Sequence, residues 1–192
     1  MRISTKNFRR AAVVALTAFV VVVPSMGSVA SAAPRAAAAA ESAATQQVEN
    51  HRFPIRRVVC VNAHVQNLGW RGWACARAGT TLEVGTTGQS LRLEALSIMT
   101  RNLGGLCARG HVQNIGWQRA RCVGDGHTLR VGTTGQSLRL EALQLVARRA
   151  LCAEAHVQNI GWQGAECARR GHLIEVGTTG QSLRMEALRL RF

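Results

Sequence analysis

The chain has 192 residues and carries 24 Lys and Arg against 10 Asp and Glu, which gives a formal net charge of +14. Hydrophobic residues make up 47% of the sequence, which is enough to build the core of one domain of ordinary size. After residue 32 no apolar run is long enough to cross a bilayer as a helix. The sequence therefore excludes a membrane-spanning helix in that part of the chain.

The first 32 residues have the organisation of a secretory signal peptide. A basic start (residues 1–10) is followed by an apolar run (residues 11–23), by Pro24 and by the small-x-small pattern Ala30-Ser31-Ala32. We therefore expect cleavage after Ala32 and a secreted, extracellular mature protein. Residues 33–56 are rich in alanine and polar side chains, and we expect a flexible linker there. The folded domain should span residues 57–192.

The charge balance of the mature chain favours an acidic partner. Residues 1–32 contain four positive charges and no acid, so their removal lowers the net charge from +14 to +10. Such an excess favours anionic cell-wall polymers, acidic polysaccharides or extracellular nucleic acid. Of these we expect a polysaccharide or another cell-wall polymer, and not nucleic acid. A soluble cationic surface without a specific partner is the alternative.

One unit is repeated three times in the folded part of the chain. The motif His-Val-Gln-Asn-Leu/Ile-Gly-Trp begins at His64, His111 and His156, and each of these histidines is followed 30 residues later by a glutamate. Successive copies are offset by 47 and then 45 residues, so the length varies only in the connectors. The repeats span about residues 57–100, 104–147 and 149–192. The constant internal spacing predicts that each repeat is one closed structural module.

The six cysteines follow the same repeat, with one pair per copy and fifteen residues between partners. A pairing within each copy is the simplest threefold arrangement, and an exported protein is expected to be oxidised. Each bridge should stabilise the fold by about 3 kcal/mol. No pair has the spacing of a zinc knuckle, so we expect no metal, and the sequence indicates no other cofactor. The predicted disulfides are Cys60–Cys75, Cys107–Cys122 and Cys152–Cys167.

The pattern within each repeat has a period of two residues and predicts β-strands. Residues 58–65 are rich in β-branched side chains, and residues 91–95 alternate between apolar and charged. Gly79, Gly126 and Gly171 follow the second cysteine of each repeat, where we expect the turn of a short hairpin. Its second arm would be residues 81–84, 127–131 and 173–176. About four strands per repeat predict an all-β, pseudo-threefold, β-prism-like domain, with a β-trefoil as the alternative.

The motifs resemble a known family of repeats. The run His-Val-Gln-Asn-Ile-Gly-Trp, followed by Gly-Thr-Thr-Gly-Gln-Ser-Leu-Arg-Leu-Glu-Ala-Leu, is similar to the clostridial hydrophobic W repeat, called ChW, over nearly all of residues 58–192. The resemblance implies a secreted, non-catalytic module that binds surface polysaccharide or partner proteins. Two features depart from the family's pattern. Only Trp73 matches the second tryptophan, with Ala120 and Ala165 in the other copies, and the cysteine pair with its longer hairpin is not typical.

Two sets of fixed residues are candidates for structural roles. Trp70, Trp117 and Trp162 could stack on a sugar, but we expect them in the core, where they would hold each sheet against the threefold axis. Each motif histidine has the same separation in sequence from a glutamate. If the two side chains form a buried pair, they must be hydrogen-bonded. We expect structural polar pairs, with anchors for a ligand as the alternative. The predicted pairs are His64–Glu94, His111–Glu141 and His156–Glu186.

The Gly-Thr-Thr-Gly-Gln-Ser-Leu-Arg motif concentrates hydroxyl, amide and guanidinium groups at one turn. Turns are exposed, and polar groups fixed at a turn suit a hydroxyl-rich or anionic ligand. Alternatively, the hydroxyls close the turn onto its own backbone. Trp73 occurs once and is the better candidate for an exposed contact. The candidate ligand-binding residues are Thr86, Thr87, Gln89 and Arg92, with Thr133, Thr134, Gln136 and Arg139, with Thr178, Thr179, Gln181 and Arg184, and Trp73.

These features predict a binding protein and not an enzyme. Ser90, His64 and Glu94 could be written as a triad, but no nucleophile elbow surrounds the serine, and three identical active sites in one small domain would be unusual. Glycosidases need paired carboxylates, and each repeat fixes only one glutamate. We expect a lectin-like module that recognises cell-surface or environmental polysaccharide through the repeated polar turns. The alternative is a protein-interaction or inhibitor scaffold that uses the variable hairpins at residues 71–77, 119–126 and 163–170.

Overall fold

The computed structural model describes residues 56–192, so the predicted signal peptide and nearly all of the predicted linker lie outside the described residues. Residues 56–192 contain fourteen strands and no helix. The strands are β1 (Val58–Val65), β2 (Gly69–Arg77), β3 (Thr81–Gly85), β4 (Leu93–Arg101), β5 (Leu106–Val112), β6 (Gly116–Trp117), β7 (Arg121–Val123), β8 (Thr128–Gly132), β9 (Leu140–Ala147), β10 (Leu151–Val157), β11 (Gly161–Trp162), β12 (Glu166–Ala168), β13 (Leu173–Gly177) and β14 (Met185–Arg191).

The strands form three antiparallel sheets, one for each repeat, in a prism-like all-β arrangement. The first sheet has the order β2-β1-β4-β8. The second has the order β13-β9-β5-β6, with β7 also paired to β5, and the third has the order β11-β10-β14-β3, with β12 also paired to β10. The predicted fold class is therefore confirmed: the domain is all-β and prism-like, with three sheets matching three repeats.

Each sheet takes its outer strand from another repeat. Strand β8 of repeat 2 pairs with β4 of repeat 1, β13 of repeat 3 pairs with β9 of repeat 2, and β3 of repeat 1 pairs with β14 of repeat 3. The exchange closes a ring. The predicted closed module per repeat is therefore wrong, and so is the predicted hairpin, because the turn after β2 carries β3 into the sheet of repeat 3 and not back against β2.

The core lies on the inner faces of the three sheets. Along β1, Val61, Ala63 and Val65 are at most 1% exposed and alternate with the half-buried Asn62 and His64. The same period of two continues in the other sheets, as expected for strands with one buried face. Equivalent large side chains of all three repeats contribute to one shared cluster, among them Leu96, Leu143 and Leu188.

The three predicted disulfides, Cys60–Cys75, Cys107–Cys122 and Cys152–Cys167, are present. Each joins the first strand of its repeat to the segment after the motif tryptophan, at positions that are partners in the strand ladder. Each bridge joins two cysteines of the same repeat, so no disulfide links one repeat to another.

Repeat 1 differs from the others in its second strand. β2 is continuous, whereas repeats 2 and 3 leave the ladder after the motif tryptophan and return to it at the second cysteine. In repeat 2 the side chain of Gln118 accepts a hydrogen bond from Gly132 N at 2.8 Å and donates one to Gly132 O at 3.1 Å. Gln163 makes the same pair of bonds with Gly177. Repeat 1 has Arg71 at this position, and its β2 stays in the sheet, with one irregularity in the pairing between Asn62 and His64.

The two ends of the prism differ in sequence. The strand registers place the turns between the first two strands of each repeat, and all three Gly-Thr-Thr-Gly-Gln-Ser segments, at one end, which we call the motif end. The connectors between repeats and the turns at residues 78–80, 124–127 and 169–172 lie at the other end, the connector end. The motif end is therefore repeated almost letter for letter, and the connector end is not.

Candidate functional site

A β-bulge aims the repeated glutamate at the repeated histidine. His64 pairs with Ala95 and Val65 with Leu93, so Glu94 is an extra residue on β4. The same shift occurs at equivalent positions of the other two sheets. A bulge can redirect a side chain to the other face of its sheet. Here it brings the 6%-exposed Glu94 onto the outer face, where His64 lies.

Each glutamate binds a histidine with one oxygen and an arginine with the other. Glu94 Oε2 lies 3.0 Å from His64 Nδ1, and Glu94 Oε1 lies 2.7 Å from a terminal nitrogen of Arg92. In repeat 2 the His111 Nδ1 to Glu141 Oε2 distance is 2.9 Å, with hydrogen-bond geometry. The distances for His64 and His156 are similar, but their angles are not those of a hydrogen bond. Because a carboxylate only accepts, Nδ1 of His111 carries the hydrogen.

The motif tryptophans lie on the outer faces of the sheets and are half-buried, so their predicted position in the core is wrong. Trp70 meets the ring of His64 edge-on, with ring centroids 5.2 Å apart and an interplanar angle of 79°. Trp117 and Trp162 make the same contact with His111 and His156. The histidine, glutamate, arginine and tryptophan of each repeat therefore form one cluster on the outer face.

An arginine covers the indole in every repeat, but from three different strands. Arg130 on β8 lies over Trp70, Arg109 on β5 over Trp117, and Arg189 on β14 over Trp162, with centroid distances of 4.8, 5.0 and 3.8 Å. A guanidinium over an indole is attracted by the ring quadrupole. These arginines are not at equivalent positions of the repeat, so the repeated motifs did not predict them. In the sequence, the one indication of these contacts is an arginine near the middle of β5, β8 and β14, at positions that vary between the repeats.

The start of the polar turn holds two repeats together. Gly132 has a φ of +86°, and a Cβ added there would lie 2.2 Å from the Glu94 carbonyl oxygen. Thr133 N donates to that same oxygen at 2.9 Å. Gly85 and Thr86 dock in the same way on Glu186, and Gly177 and Thr178 on Glu141. The glycine is therefore required because the exchanged strand approaches the bulge of its neighbour so closely.

The candidate ligand-binding residues of the polar turns fall into three groups. The hydroxyl oxygens of Thr86, Thr133 and Thr178 are buried and have no hydrogen-bond partner within residues 56–192. The side chains of Arg92, Arg139 and Arg184 are about 20% exposed, and their guanidinium groups are bound to the bulge glutamates. The candidates that are exposed at all three turns are Thr87 and Gln89, Thr134 and Gln136, and Thr179 and Gln181, and the neighbouring Ser90, Ser137 and Ser182 are exposed as well. The six candidates are the accessible part of the predicted site.

The motif end also presents three aliphatic side chains that the sequence analysis did not single out. Leu68, Ile115 and Ile160 are 41, 51 and 49% exposed at the turns between the first two strands of each repeat. Backbone bonds from Gln66, Gln113 and Gln158 to the carbonyls of Arg92, Arg139 and Arg184 place these turns beside the polar turns. Each corner of the motif end therefore combines hydroxyl and amide groups with one apolar side chain.

Trp73 lies apart from these corners. It is 47% exposed and pairs with Asn62 in the ladder between β1 and β2. The equivalent Ala120 and Ala165 lie where the chain has left the sheet. Trp73 is therefore an exposed aromatic side chain on the face of one sheet, without a counterpart on the other two.

Residues 56–192 contain no group of three or more His, Cys, Asp or Glu side chains placed to hold a metal ion. Its three disulfides are consistent with an extracellular protein. Within the same residues there is no helix long and apolar enough to span a membrane.

The fold and the repeated outer-face cluster define a three-repeat all-β module of the prism type. A family model described as clostridial hydrophobic W, ChW, matches residues 64–102, 111–146 and 156–192. These matches cover more than half of the chain and coincide with the three repeats, so the chain belongs to the ChW family. No curated protein and no solved structure matches it.

Proposed function

We propose that this protein is a secreted, non-catalytic, lectin-like module that binds polysaccharide through the three corners of its motif end. The observation that carries the proposal is a set of exposed residues that are identical in all three repeats although, within residues 56–192, their side chains make no hydrogen bond that would require this identity. Packing accounts for Gly85, Arg92 and Glu94, as described above. It does not account for Thr87 and Gln89, which are exposed and the same in every repeat. Identical exposed polar groups on a rigid frame are typical of binding sites.

The chemistry of one corner suits a sugar ring. Thr87 supplies a hydroxyl that both donates and accepts, and Gln89 supplies an amide with two donors and one acceptor oxygen. Leu68 supplies an apolar surface against which the C–H face of a ring can pack. A site of this kind is shallow and would bind a single unit weakly. Three such sites on one end gain strength on a polymer that repeats the same unit.

The test is binding of the mature protein to a glycan array and to isolated cell walls. The variant T87A/Q89A/T134A/Q136A/T179A/Q181A should lose binding by at least about tenfold, because all three corners lose their polar groups. A control removes exposed hydroxyl groups at the connector end instead, with T80A, T81A and T128A, and should retain binding. If the wild-type protein binds no glycan or wall polymer, or if the six substitutions change nothing, the proposal fails.

The variable segments after the motif tryptophans support a second candidate, a scaffold that binds another protein. An open groove of about 480 Å³ on the sheet of repeat 3 is lined by Glu83, Glu154 and Arg189. A groove of about 350 Å³ beside β8 is lined by Arg119, Arg121 and Arg130 instead. Faces that differ in charge suit a partner that is not itself threefold. Exchange of residues 119–126 for the equivalent residues 164–171, which keeps the second cysteine in register, would abolish binding in this case and leave polymer binding intact.

A further inference from the structure

The exchange of strands unites two pairs of arginines from different repeats at the connector end. Arg148 and Arg149 follow β9, and Arg169 and Arg170 follow β12. β13 pairs with β9, and Gly171 N donates to Ala147 O at 2.8 Å. The turn that carries the second pair is therefore held against the connector that carries the first.

These four side chains line one open groove of about 460 Å³, together with Leu103 and Gly104. All four arginines are exposed, and within residues 56–192 none of them makes an ion pair with a carboxylate. Arg101 and Arg191 add exposed positive charge at the same end, where their strands finish. Charges of one sign that converge on a concave surface attract a counter-charged ligand.

Asp125, an acidic residue at the connector end, does not neutralise the arginines of this groove. At the junction of repeats 1 and 2, Asp125 occupies the position that Arg170 has at the junction of repeats 2 and 3. Its carboxylate accepts hydrogen bonds from the backbone N–H groups of Leu103, Gly104 and Gly105 and from the hydroxyl of Thr100. Asp125 therefore closes its own junction, and the junction with four arginines stays open.

We propose that this groove binds a flexible anionic polymer that carries phosphate groups. The guanidinium fork matches phosphate oxygens, and a tetrahedral phosphate can accept from arginines on both walls of the groove. A planar carboxylate is already satisfied by one bidentate arginine. Single-stranded nucleic acid sites add aromatic side chains on which bases stack. Among the described residues, the four tryptophans all lie on sheet faces and none lines this groove, which favours a phosphate polymer without bases.

This site is separate from the corners of the motif end and does not depend on the proposed function. Its test is calorimetric titration of the whole mature protein with inorganic polyphosphate of defined length at several salt concentrations. The variant R148Q/R149Q/R170Q should bind at least about tenfold more weakly, and its slope of log K against log salt should be smaller by about 2, because three phosphate contacts are lost. R71Q/R119Q/R121Q carries the same charge change away from this groove and should bind within about twofold of wild type.

Three outcomes would overturn the proposal. An equal loss in both triple variants would show that net charge alone is responsible. Polyglutamate of matched charge bound as tightly as polyphosphate would exclude phosphate recognition. Single-stranded DNA bound more tightly than polyphosphate, with the binding lost in R148Q/R149Q/R170Q, would assign the groove to nucleic acid. Thermal unfolding of each variant checks that it is folded. Its unfolding temperature should be close to that of the wild type, because substitutions of exposed arginines change stability little.

Discussion

Arg130 of repeat 2 lies over the indole of Trp70 of repeat 1, with its guanidinium carbon 4.8 Å from the ring centroid. β1 and β4 separate their strands, so the two side chains reach toward each other across the outer face of the sheet. Ala95 is paired with His64 on one side and with Gly132 on the other. Its side chain points to the outer face of the sheet but is fully buried. The contact therefore helps to hold β8, the strand from repeat 2, in the sheet of repeat 1.

Substitution of Arg130 should therefore weaken the junction of repeats 1 and 2. R130Q removes the cation–π contact with Trp70 and the hydrogen bond from Arg130 Nε to Ser97 Oγ. We expect a loss of about 1 kcal/mol in the free energy of unfolding, measured by urea denaturation. R121Q, an exposed arginine of the same repeat, is the control and should change it by less than about 0.5 kcal/mol. Equal effects of R130Q and R121Q would contradict the role of the contact.

The glycine that begins the polar turn allows a sharper test. A Cβ at Gly132 would lie 2.2 Å from the Glu94 carbonyl oxygen and 2.7 Å from the Ala95 Cα, both of which are backbone atoms. Gly132→Ala should cost about 3 kcal/mol or more, because the strand must move and the residue is strained at a φ of +86°. Gly135→Ala is the control, with a φ of +72° and no atom within 4 Å of the added Cβ. It should cost only about 1 kcal/mol. Similar losses of thermal stability in both variants would refute the close approach.

Asp125 predicts a pH dependence of stability. Burial raises its pKa, but hydrogen bonds from Gly104 N, the Thr100 hydroxyl, Leu103 N and Gly105 N together outweigh this effect and place the pKa below its ordinary value. A carboxyl whose pKa is lowered by folding stabilises the folded state above its unfolded pKa, about 3.9, and loses this effect as the pH falls through the folded value. D125N should cost about 2 kcal/mol at pH 7. The difference from wild type should shrink below about pH 4 and would be constant with pH if the charge were unimportant.

Much of this fold could be predicted from the sequence because it depends on local spacing. Constant distances between paired cysteines predict the disulfides, and a period of two residues predicts strands. The constant 30 residues from His64 to Glu94 indicate a pair. These features repeat within each copy and need no knowledge of which sheet a strand enters.

The exchange of strands could not be predicted in the same way. A strand such as β3 has the same length and alternation whether it pairs within its own repeat or in the sheet of repeat 3. The signal lies in side chains that fit across repeats. Glu83 of repeat 1 accepts a hydrogen bond from Arg189 of repeat 3 at 2.8 Å. The residue of repeat 1 at the position equivalent to Arg189 is Ser97, which carries no charge. The arginines over the indoles are hidden for the same reason, because they occupy different strands in each repeat.

The closed ring predicts that no part of the domain folds without the rest. Removal of repeat 3, residues 149–192, takes away both β14, with which β3 pairs, and β13, which covers β9. The two remaining repeats would have one complete sheet, one sheet without its outer strand, β3 without a partner and an open core, so residues 57–148 should show no cooperative thermal unfolding. A circular permutant that begins at repeat 2 and joins residue 192 to residue 57 through a short linker keeps every strand pair. It should unfold cooperatively within a few degrees of the parent chain, because Gly79 N bonds to Phe192 O at 2.9 Å and Ala78 N bonds to Arg57 O at 3.3 Å, so the two ends to be joined are already close. A two-repeat fragment with a sharp unfolding transition and dispersed amide resonances would mean that repeats are autonomous and that the exchange is not needed for stability.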